Sequence, residues 1–438
     1  MNKKVAFQTF GCKLNFAETS QLSRQFIENG YEIADFKETA DVYVINTCTV
    51  TSIAEKKCKT AIRGAINRNP DAKVAVIGCF SQLKAEEIQE IEGVDIIVGN
   101  NEKHKLLEMI SNREVNAEDN CAYCDVKQMG KEDAFVPSYS SGDRTRSFLK
   151  IQDGCDYFCT YCAIPFARGR SRSDTIENIV ISAEQIADKG LKEIILTGVN
   201  IGDFGKQNGE NFLQLIKALD QVEGIERYRI SSIEPELLSD EIIEFVSNSK
   251  KFLPHFHIPL QSGSNKILKM MKRHYQRELF ADRIARIKEI MPASCIAADV
   301  ITGFPGETDE DFQDAFEFIN SLPISYLHVF TYSERPDTIA AKLEGKVAVN
   351  IRRDRSKVLQ LLSDQKKHNF YLQNKDLKLK VLFESDIHHG YIFGFTDNYI
   401  RVKIKADKKL INKVVEVKLN ILDIDEVYFV EDTKPSID

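Results

Sequence analysis

Three of the ten cysteines stand close together in Asp153-Gly-Cys155-Asp-Tyr-Phe-Cys159-Thr-Tyr-Cys162. Thiolates at this x3–x2 spacing can each bind one iron of a cubane [4Fe–4S] cluster, leaving the fourth iron open. An open iron takes a substrate or cofactor, as an open zinc position does in hydrolytic sites. A structural zinc would want a fourth protein ligand, and no His or Cys follows nearby. Gly154 lets the backbone turn tightly out of the strand-like segment before it.

A second set is scattered. Cys12 lies in Thr9-Phe-Gly-Cys12-Lys-Leu-Asn15, Cys48 in Ile45-Asn-Thr-Cys48-Thr, and Cys79 in Val76-Ile-Gly78-Cys79-Phe-Ser-Gln82. Each follows a strand-like segment, and in a parallel sheet the carboxyl ends of the strands share one edge, where ligands bind. The three thiols are therefore expected to converge, and a second three-cysteine cluster is the natural product. The residues alone leave two other readings: buried thiols at strand ends, or a redox pair, although no thioredoxin-like Cys-x-x-Cys precedes a helix here. Cys58, on a helix, and Cys295, at a strand start, read as core. Cys121 and Cys124 would need two more ligands to make a zinc knuckle.

The elements that must position these thiols fall into an α/β pattern. Residues 1–112 alternate strands (4–9, 41–46, 73–77, 95–98) with helices (19–29, 54–67, 84–91), which predicts an open, mostly parallel sheet. Residues 113–145, rich in charge, Ser and Gly, read as a linker. Over 146–373 a second series has six strands (148–152, 193–197, 228–232, 256–260, 296–302, 326–332), short of the eight that close a barrel, so a partial (βα)6 barrel is expected. Helices separate them at 175–189, 212–221 and 309–321, and residues 347–373 read as one long connecting helix. The tail, 374–438, has five short strands (377–384, 390–395, 399–406, 413–419, 426–430), the pattern of a small antiparallel β-barrel.

Composition sets the boundaries. With 43% hydrophobic and 29% charged residues the chain reads as an ordinary soluble protein. It has no run of ~18 apolar residues to cross a bilayer, and Met-Asn-Lys-Lys-Val-Ala-Phe lacks a signal-peptide core. A cytoplasmic location is expected, where cysteines serve metals more often than disulfides. The net charge of −7 argues against a uniformly basic surface but leaves room for a local basic patch.

The Cys155–Cys159–Cys162 triplet, with Tyr161 before its last cysteine and six βα repeats around it, resembles the radical S-adenosylmethionine superfamily. That resemblance implies that the methionyl group of S-adenosylmethionine chelates the open iron and that the reduced cluster splits it to a 5′-deoxyadenosyl radical. It implies a cofactor pocket at Gly198 (in Leu196-Thr197-Gly198-Val199-Asn200), Ser232, Glu234, Gln261 and Asp299, beside the turn Gly303-Phe-Pro-Gly306-Glu307. Each of these residue types is also common in turns and caps.

Gly-Cys-Lys-Leu-Asn, Asn-Thr-Cys-Thr-Val and Gly-Cys-Phe-Ser-Gln resemble the amino-terminal domain of the methylthiotransferases. In that family the second cluster presents a sulfur that is methylated and then transferred to a substrate radical. Gly394-Phe-Thr-Asp-Asn-Tyr399-Ile-Arg401-Val resembles the TRAM domain of RNA-modifying enzymes. Tyr399 is then expected to stack on a base and Arg401 to meet a phosphate, with Lys403, Lys405, Lys408 and Lys409 adding charge, or else to form a solvated, lysine-bearing edge. Arg168, Arg170 and Arg172 either hold RNA backbone or pin the cluster loop through ion pairs.

The wording Ile-Pro-Phe-Ala-Arg-Gly-Arg-Ser-Arg-Ser resembles the branch acting on N6-threonylcarbamoyladenosine at position 37, in the anticodon stem-loop of tRNA. Sister branches act on isopentenyladenosine and on a ribosomal-protein aspartate. The resemblance implies two [4Fe–4S] clusters, S-adenosyl-L-methionine, tRNA as partner, and an electron donor such as flavodoxin or ferredoxin. Outside the class stands a non-catalytic, metal-dependent RNA-binding protein.

Overall fold

The computed structural model describes residues 3–111, 123–130, 133–142, 145–423, 425–430 and 433–435. The chain forms two compact units: Met1–Ser140 with Phe148–Asp174 and Ser333–Ala341, and Ser141–Ser147 with Thr175–Tyr332 and Lys342–Asp438.

The first unit opens with β1 (Lys4–Thr9), α1 (Lys13–Glu28), β2 (Glu32–Ala34), β3 (Val42–Thr47), α2 (Ser52–Arg68), β4 (Lys73–Gly78), α3 (Cys79–Leu83), α4 (Ala85–Gln89), β5 (Ile96–Val98), α5 (Leu106–Ser111) and β6 (Tyr123–Asp125). Its six strands form one sheet in the order β2–β1–β3–β4–β5–β6, and every pairing is parallel. β3, Val-Tyr-Val-Ile-Asn-Thr, is buried throughout, as a central parallel strand with both faces covered should be. Tyr43 and Ile45 pack with Ile62 and Phe80 on one face, and Val42 and Val44 with Phe26 and Leu106 on the other. Each such side chain contributes about 1.5–3 kcal/mol of burial.

Helix α1 begins at Lys13, not at residue 19 as its periodicity predicts. Asn15 and Glu18, polar positions that break the apolar stripe, are themselves buried, so the pattern fails where the helix carries charge into the interior. β6 lies inside the span read as linker, with Cys124 in register with Ile97. A three-residue strand is too short to show a period. Cys121 lies outside the described residues.

Next come β7 (Arg146–Lys150), β8 (Gln152–Asp153), α6 (Ile164–Arg168) and β9 (Arg172–Ser173). β8 and β9 pair antiparallel and close the base of the loop that carries Cys155, Cys159 and Cys162.

The second unit continues with α7 (Ile176–Asp188), β10 (Glu193–Thr197), α8 (Phe212–Leu219), β11 (Arg227–Ile230), α9 (Asp240–Asn248), β12 (His255–His257), α10 (Asn265–Met270), α11 (Arg277–Ile290), β13 (Cys295–Thr302), α12 (Asp309–Ser321), β14 (Tyr326–Thr331) and α13 (Val349–Gln373). β10 and β11 run parallel, as do β12, β13 and β14, and a parallel bridge from Ser232 to His257 links the sets. α12 has the bounds that its sequence predicts, because Thr308 and Asp311 form a capping box at its start. β12 is shorter than predicted: Pro259 offers no N–H to a ladder, and pairing resumes only at the Gln261–Val300 bridge.

The tail supplies β15 (Lys378–His388), β16 (Tyr391–Thr396), β17 (Arg401–Lys405), β18 (Val414–Lys418), β19 (Ile421–Leu422), β20 (Tyr428–Phe429) and β21 (Thr433–Pro435). They form a seven-stranded sheet, two short strands more than the pattern predicts. It is antiparallel except for β17–β20, and a register shift between Phe383 and Ile387 bends β15. Its core, including Val381, Val402 and Tyr428, packs on Phe370 and Tyr371 of α13. No described helix is long and apolar enough to cross a membrane.

Candidate metal centre and binding site

Cys12, Cys48 and Cys79 leave β1, β3 and β4 at the same edge of the first sheet. Cys12 is the residue before α1, with extended backbone, and Cys79 is the first residue of α3. Gly11 sits so close to Cys48 that a Cβ on it would lie 2.8 Å from both Cβ and Sγ of Cys48. Gly78, at φ +101°, has no room beside the Asn46 side chain and the Thr47 carbonyl. Glycine is thus required at both approaches, and the three thiols feel one another electrostatically. Burial pushes the Cys48 thiol up to about 12. Cys12 is open to solvent, yet the protein packed around it raises its pKa, with Arg168 opposing.

Cys155, Cys159 and Cys162 lie in the same unit. Cys159 is buried and the other two are half-buried. Cys155 N–H donates to Gly169 O at 3.1 Å and Cys162 N–H to Cys159 O at 3.0 Å, which folds the loop back on itself. Gly154 has φ +68°, and a side chain there would overlap the Arg170 carbonyl. Among the described residues, neither cysteine triplet brings its three sulfurs within 4.8 Å of one another. Around a single tetrahedral zinc, thiolates at ~2.3 Å would stand about 3.8 Å apart. Neither donor set has the sulfur spacing of a single zinc site.

A buried ion network that carries no sequence signature joins the two cysteine loops. Arg168, 1% exposed, donates to Asn15 Oδ1 at 2.6 Å, to both Glu18 oxygens at 3.1 Å and to Asp153 Oδ1 at 3.0 Å. Lys103 and Lys150 add to Glu18, and Lys150 and Arg172 to Asp153. Burial works against ionising Glu18 and Asp153, but Arg168 and the neighbouring cations outweigh it and hold both carboxyls below their ordinary values. Asn100 donates to Ala167 O at 2.7 Å and lies 3.6 Å from Cys79 Sγ. Residues 333–341 bind both loops: Arg335 donates to Thr49 O, beside Cys48, and Ala340 N–H to Thr160 O, between Cys159 and Cys162.

This placement decides between the two readings of the arginines and corrects the RNA-facing one for Arg168 and Arg172. Arg168 and Arg172 are buried and pin the loop. Arg170 remains at the surface, 3.4 Å from Asp156 and over the Phe158 ring. It edges a cavity of about 860 Å³ together with Phe158, Phe166 and Met129. Tyr399 is also reassigned. Its ring stacks on His255 at 4.3 Å and on Phe395 at 4.6 Å, with Arg229 over it, so it builds the wall between tail and strands where a base was expected. Arg401 is exposed and lies over Phe393. Cys58 and Cys295 are core, at 0% and 1% exposure.

The residues expected at the cofactor lie in the second unit. Gly198 follows β10, and Ser232 bridges to His257. Gln261, at φ +62°, donates its backbone N–H to Asp299 O at 2.8 Å. Glu234 pairs with Arg273, yet burial pushes its carboxyl up to about 7. Asp299 Oδ1 lies 2.7 Å from His257 Nε2.

Comparison with known proteins places these features. The radical SAM superfamily model matches residues 149–319, and that of the uncharacterized protein family UPF0004 matches residues 4–99. The threonylcarbamoyladenosine tRNA methylthiotransferase of Bacillus subtilis is 44% identical over 422 residues, 95% of this chain and 93% of the relative. Its namesake in Aquifex aeolicus is 40% identical, covering 94% and 99%. The tRNA-2-methylthio-N(6)-dimethylallyladenosine synthase of Clostridium tetani is 34% identical, covering 95% and 94%. In fold, the chain is similar to the radical S-adenosylmethionine methyltransferase TsrM from Kitasatospora setae, with a TM-score of 0.57 at 15% identity over 78% of this chain and 77% of that one.

Proposed function

The chain belongs to the radical S-adenosylmethionine methylthiotransferases, and on that premise we propose that it adds a methylthio group to carbon 2 of N6-threonylcarbamoyladenosine at position 37 of tRNA. Membership implies one [4Fe–4S] cluster and S-adenosylmethionine at Cys155, Cys159 and Cys162. The observation that carries the reading further is the gathering of Cys12, Cys48 and Cys79 in the same unit, a donor set that S-adenosylmethionine cleavage alone would not need. The choice of nucleoside is supported by the threonylcarbamoyladenosine enzymes among the relatives, at 35–44% identity against 33–34% for the dimethylallyl enzymes.

When bound, the two clusters and S-adenosylmethionine supply a carbon radical and a transferable sulfur. The chain's own contribution is positional. Cys12, Cys48 and Cys79 would hold one cluster and the Cys155 triplet the other, and Arg168, Asn15, Glu18 and Asp153 fix the two loops in one frame. The raised thiol pKa values of Cys12 and Cys48 mean that cluster assembly releases protons. Gly198, Ser232 and Gln261 are the second unit's candidates for the cofactor. Hydrogen abstraction by a radical needs no acid–base pair, so the lack of a general base in this assignment is no obstacle. Of the cations named above, Arg170, Arg401, Lys405, Lys408 and Lys409 keep solvent access and are available to RNA.

Mass spectrometry of tRNA nucleosides from cells lacking the protein tests the assignment. The methylthio form of threonylcarbamoyladenosine disappears if it is right. If that nucleoside persists while methylthio-isopentenyladenosine is lost, the sister branch is the correct one.

A further inference from the structure

A polar cluster in the second unit joins Asp299, one of the residues expected at the cofactor, to two histidines that have no assignment. Along β14, Leu327 N–H donates to Ser363 Oγ at 2.9 Å and Thr331 Oγ1 bonds to Ser356 Oγ at 2.7 Å, so the odd-numbered residues face α13. Tyr326, His328 and Phe330 therefore project from the opposite face, the inner one in a sheet whose helices lie outside. That face is open: His328 is exposed, and Phe330 is 44% exposed.

Three strands deliver hydrogen-bonding groups to one place on it. His328 is in register with Asp299 of β13, and Asp299 Oδ1 lies 2.7 Å from Nε2 of His257, the last residue of β12. One nitrogen or oxygen from each of the three lies within 4.8 Å of the others. The two imidazoles are 5.1 Å apart, and Tyr326 stands edge-on to His328 at 5.3 Å. A cavity of about 320 Å³ opens beside His328, walled by Tyr326, by Lys367 and Tyr371 near the end of α13 and by Phe395 and Arg401 of the tail; His257 and Asp299 do not line it.

Such a site suits some ligands and rejects others. A branched hydrocarbon placed there would cover three polar groups and return no hydrogen bonds. A substituent bearing both a hydroxyl and a carboxylate complements all three. Asp299 accepts from the hydroxyl, imidazole N–H groups donate to the carboxylate, and the aromatic rings beside them offer faces and edges to a planar base.

We propose that His257, Asp299 and His328 form the subsite that holds the hydroxy-acid substituent of the target adenosine and selects it over an adenosine with an apolar substituent. The subsite rests on the function proposed above.

The test offers the cluster-loaded enzyme anticodon stem-loops carrying threonylcarbamoyladenosine or its methyl ester, and compares wild type with His328→Leu and His328→Gln. In wild type the ester costs on the order of 100-fold in kcat/KM, because a site built to bond a polar group rejects the analogue lacking it. His328→Leu loses a similar factor on the acid but little more on the ester, and His328→Gln, which keeps an N–H, recovers part of the loss. Iron content and affinity for a stem-loop with unmodified adenosine stay at wild-type values in both variants. If His328→Leu turns over the acid within about threefold of wild type, or wild type treats acid and ester alike, the subsite is wrong. It is also wrong if electron paramagnetic resonance shows wild type taking up about one equivalent of Mn²⁺ that His328→Leu does not, since two histidines and a carboxylate would then be a cation site. A wild type inactive on threonylcarbamoyl stem-loops overturns the function and the subsite together. An active wild type matched by His328→Leu overturns the subsite alone.

Discussion

Cys48 and Cys58 are both buried, and Cys58 Sγ lies only 3.8 Å from the Cys48 carbonyl oxygen, yet their surroundings assign them different work. Cys48 ends a strand next to Gly11 and is electrostatically coupled to Cys12 and Cys79. Cys58 is enclosed in the core of α2, where burial pushes its thiol up to about 11. Anaerobic reconstitution of the wild type is expected to give about eight irons and eight sulfides per chain. Cys12→Ala, Cys48→Ala or Cys79→Ala should each lower that to about four, and Cys58→Ala should leave it at about eight. Full iron in Cys12→Ala would contradict the second cluster. Gly154→Ala belongs at this scale too. Its positive φ and the overlap with Arg170 should cost about 1–3 kcal/mol, read by urea unfolding, together with loss of iron from the Cys155 loop.

Among the elements, α1 and the cluster loop are joined by charge. Glu18 and Asp153 have depressed pKa values in the folded protein, so they stabilise it above their unfolded pKa values. That contribution is lost as pH falls through about 4.5 and below. Glu18→Gln should flatten the dependence of stability on pH between about 5 and 3. At neutral pH it should cost about 3–5 kcal/mol, because Lys103, Lys150 and Arg168 would keep their charges with only Asp153 to answer them. Urea titrations of the two proteins across that range decide the matter. Equal slopes with pH would show that the network is neutral in sign. The same network explains why periodicity misplaces the start of α1: an apolar stripe cannot mark a helix whose inward face carries Asn15 and Glu18.

At the scale of the whole molecule, a net charge of −7 must coexist with an anionic substrate. The surface cations of the tail, Lys405, Lys408 and Lys409, are exposed together on β17 and the turn after it. Replacing all three with Glu should weaken tRNA binding most at low salt and lower the slope of log affinity against log salt by about one for each phosphate no longer neutralised. Fluorescence anisotropy at several salt concentrations would measure it, and an unchanged slope would move the RNA surface elsewhere, with Arg170 the next candidate. The tail itself is fixed by Arg227 and Arg229, which donate to the Thr396 carbonyl at 2.9 and 2.7 Å while both pair with Glu193.

The sequence by itself determined the βα alternation, the strand ends that carry all six cysteines, and the enzyme class. Those features are local: a strand's apolar run, a glycine before a turn, a three-thiol spacing. Tertiary structure alone decided which polar residues go inside. Along the chain Arg168 and Arg172 read either as RNA contacts or as pins of the loop, and only the fold, which sets Glu18 and Asp153 opposite them, decides for the pins. Tyr399 likewise reads as a base-stacking ring, and only the fold sets His255 and Phe395 against it. Asp299 reads along the chain as a cofactor residue, and His257 and His328 carry no reading of their own. They meet because parallel register sets positions far apart in sequence side by side, and no spacing along the chain encodes that distance.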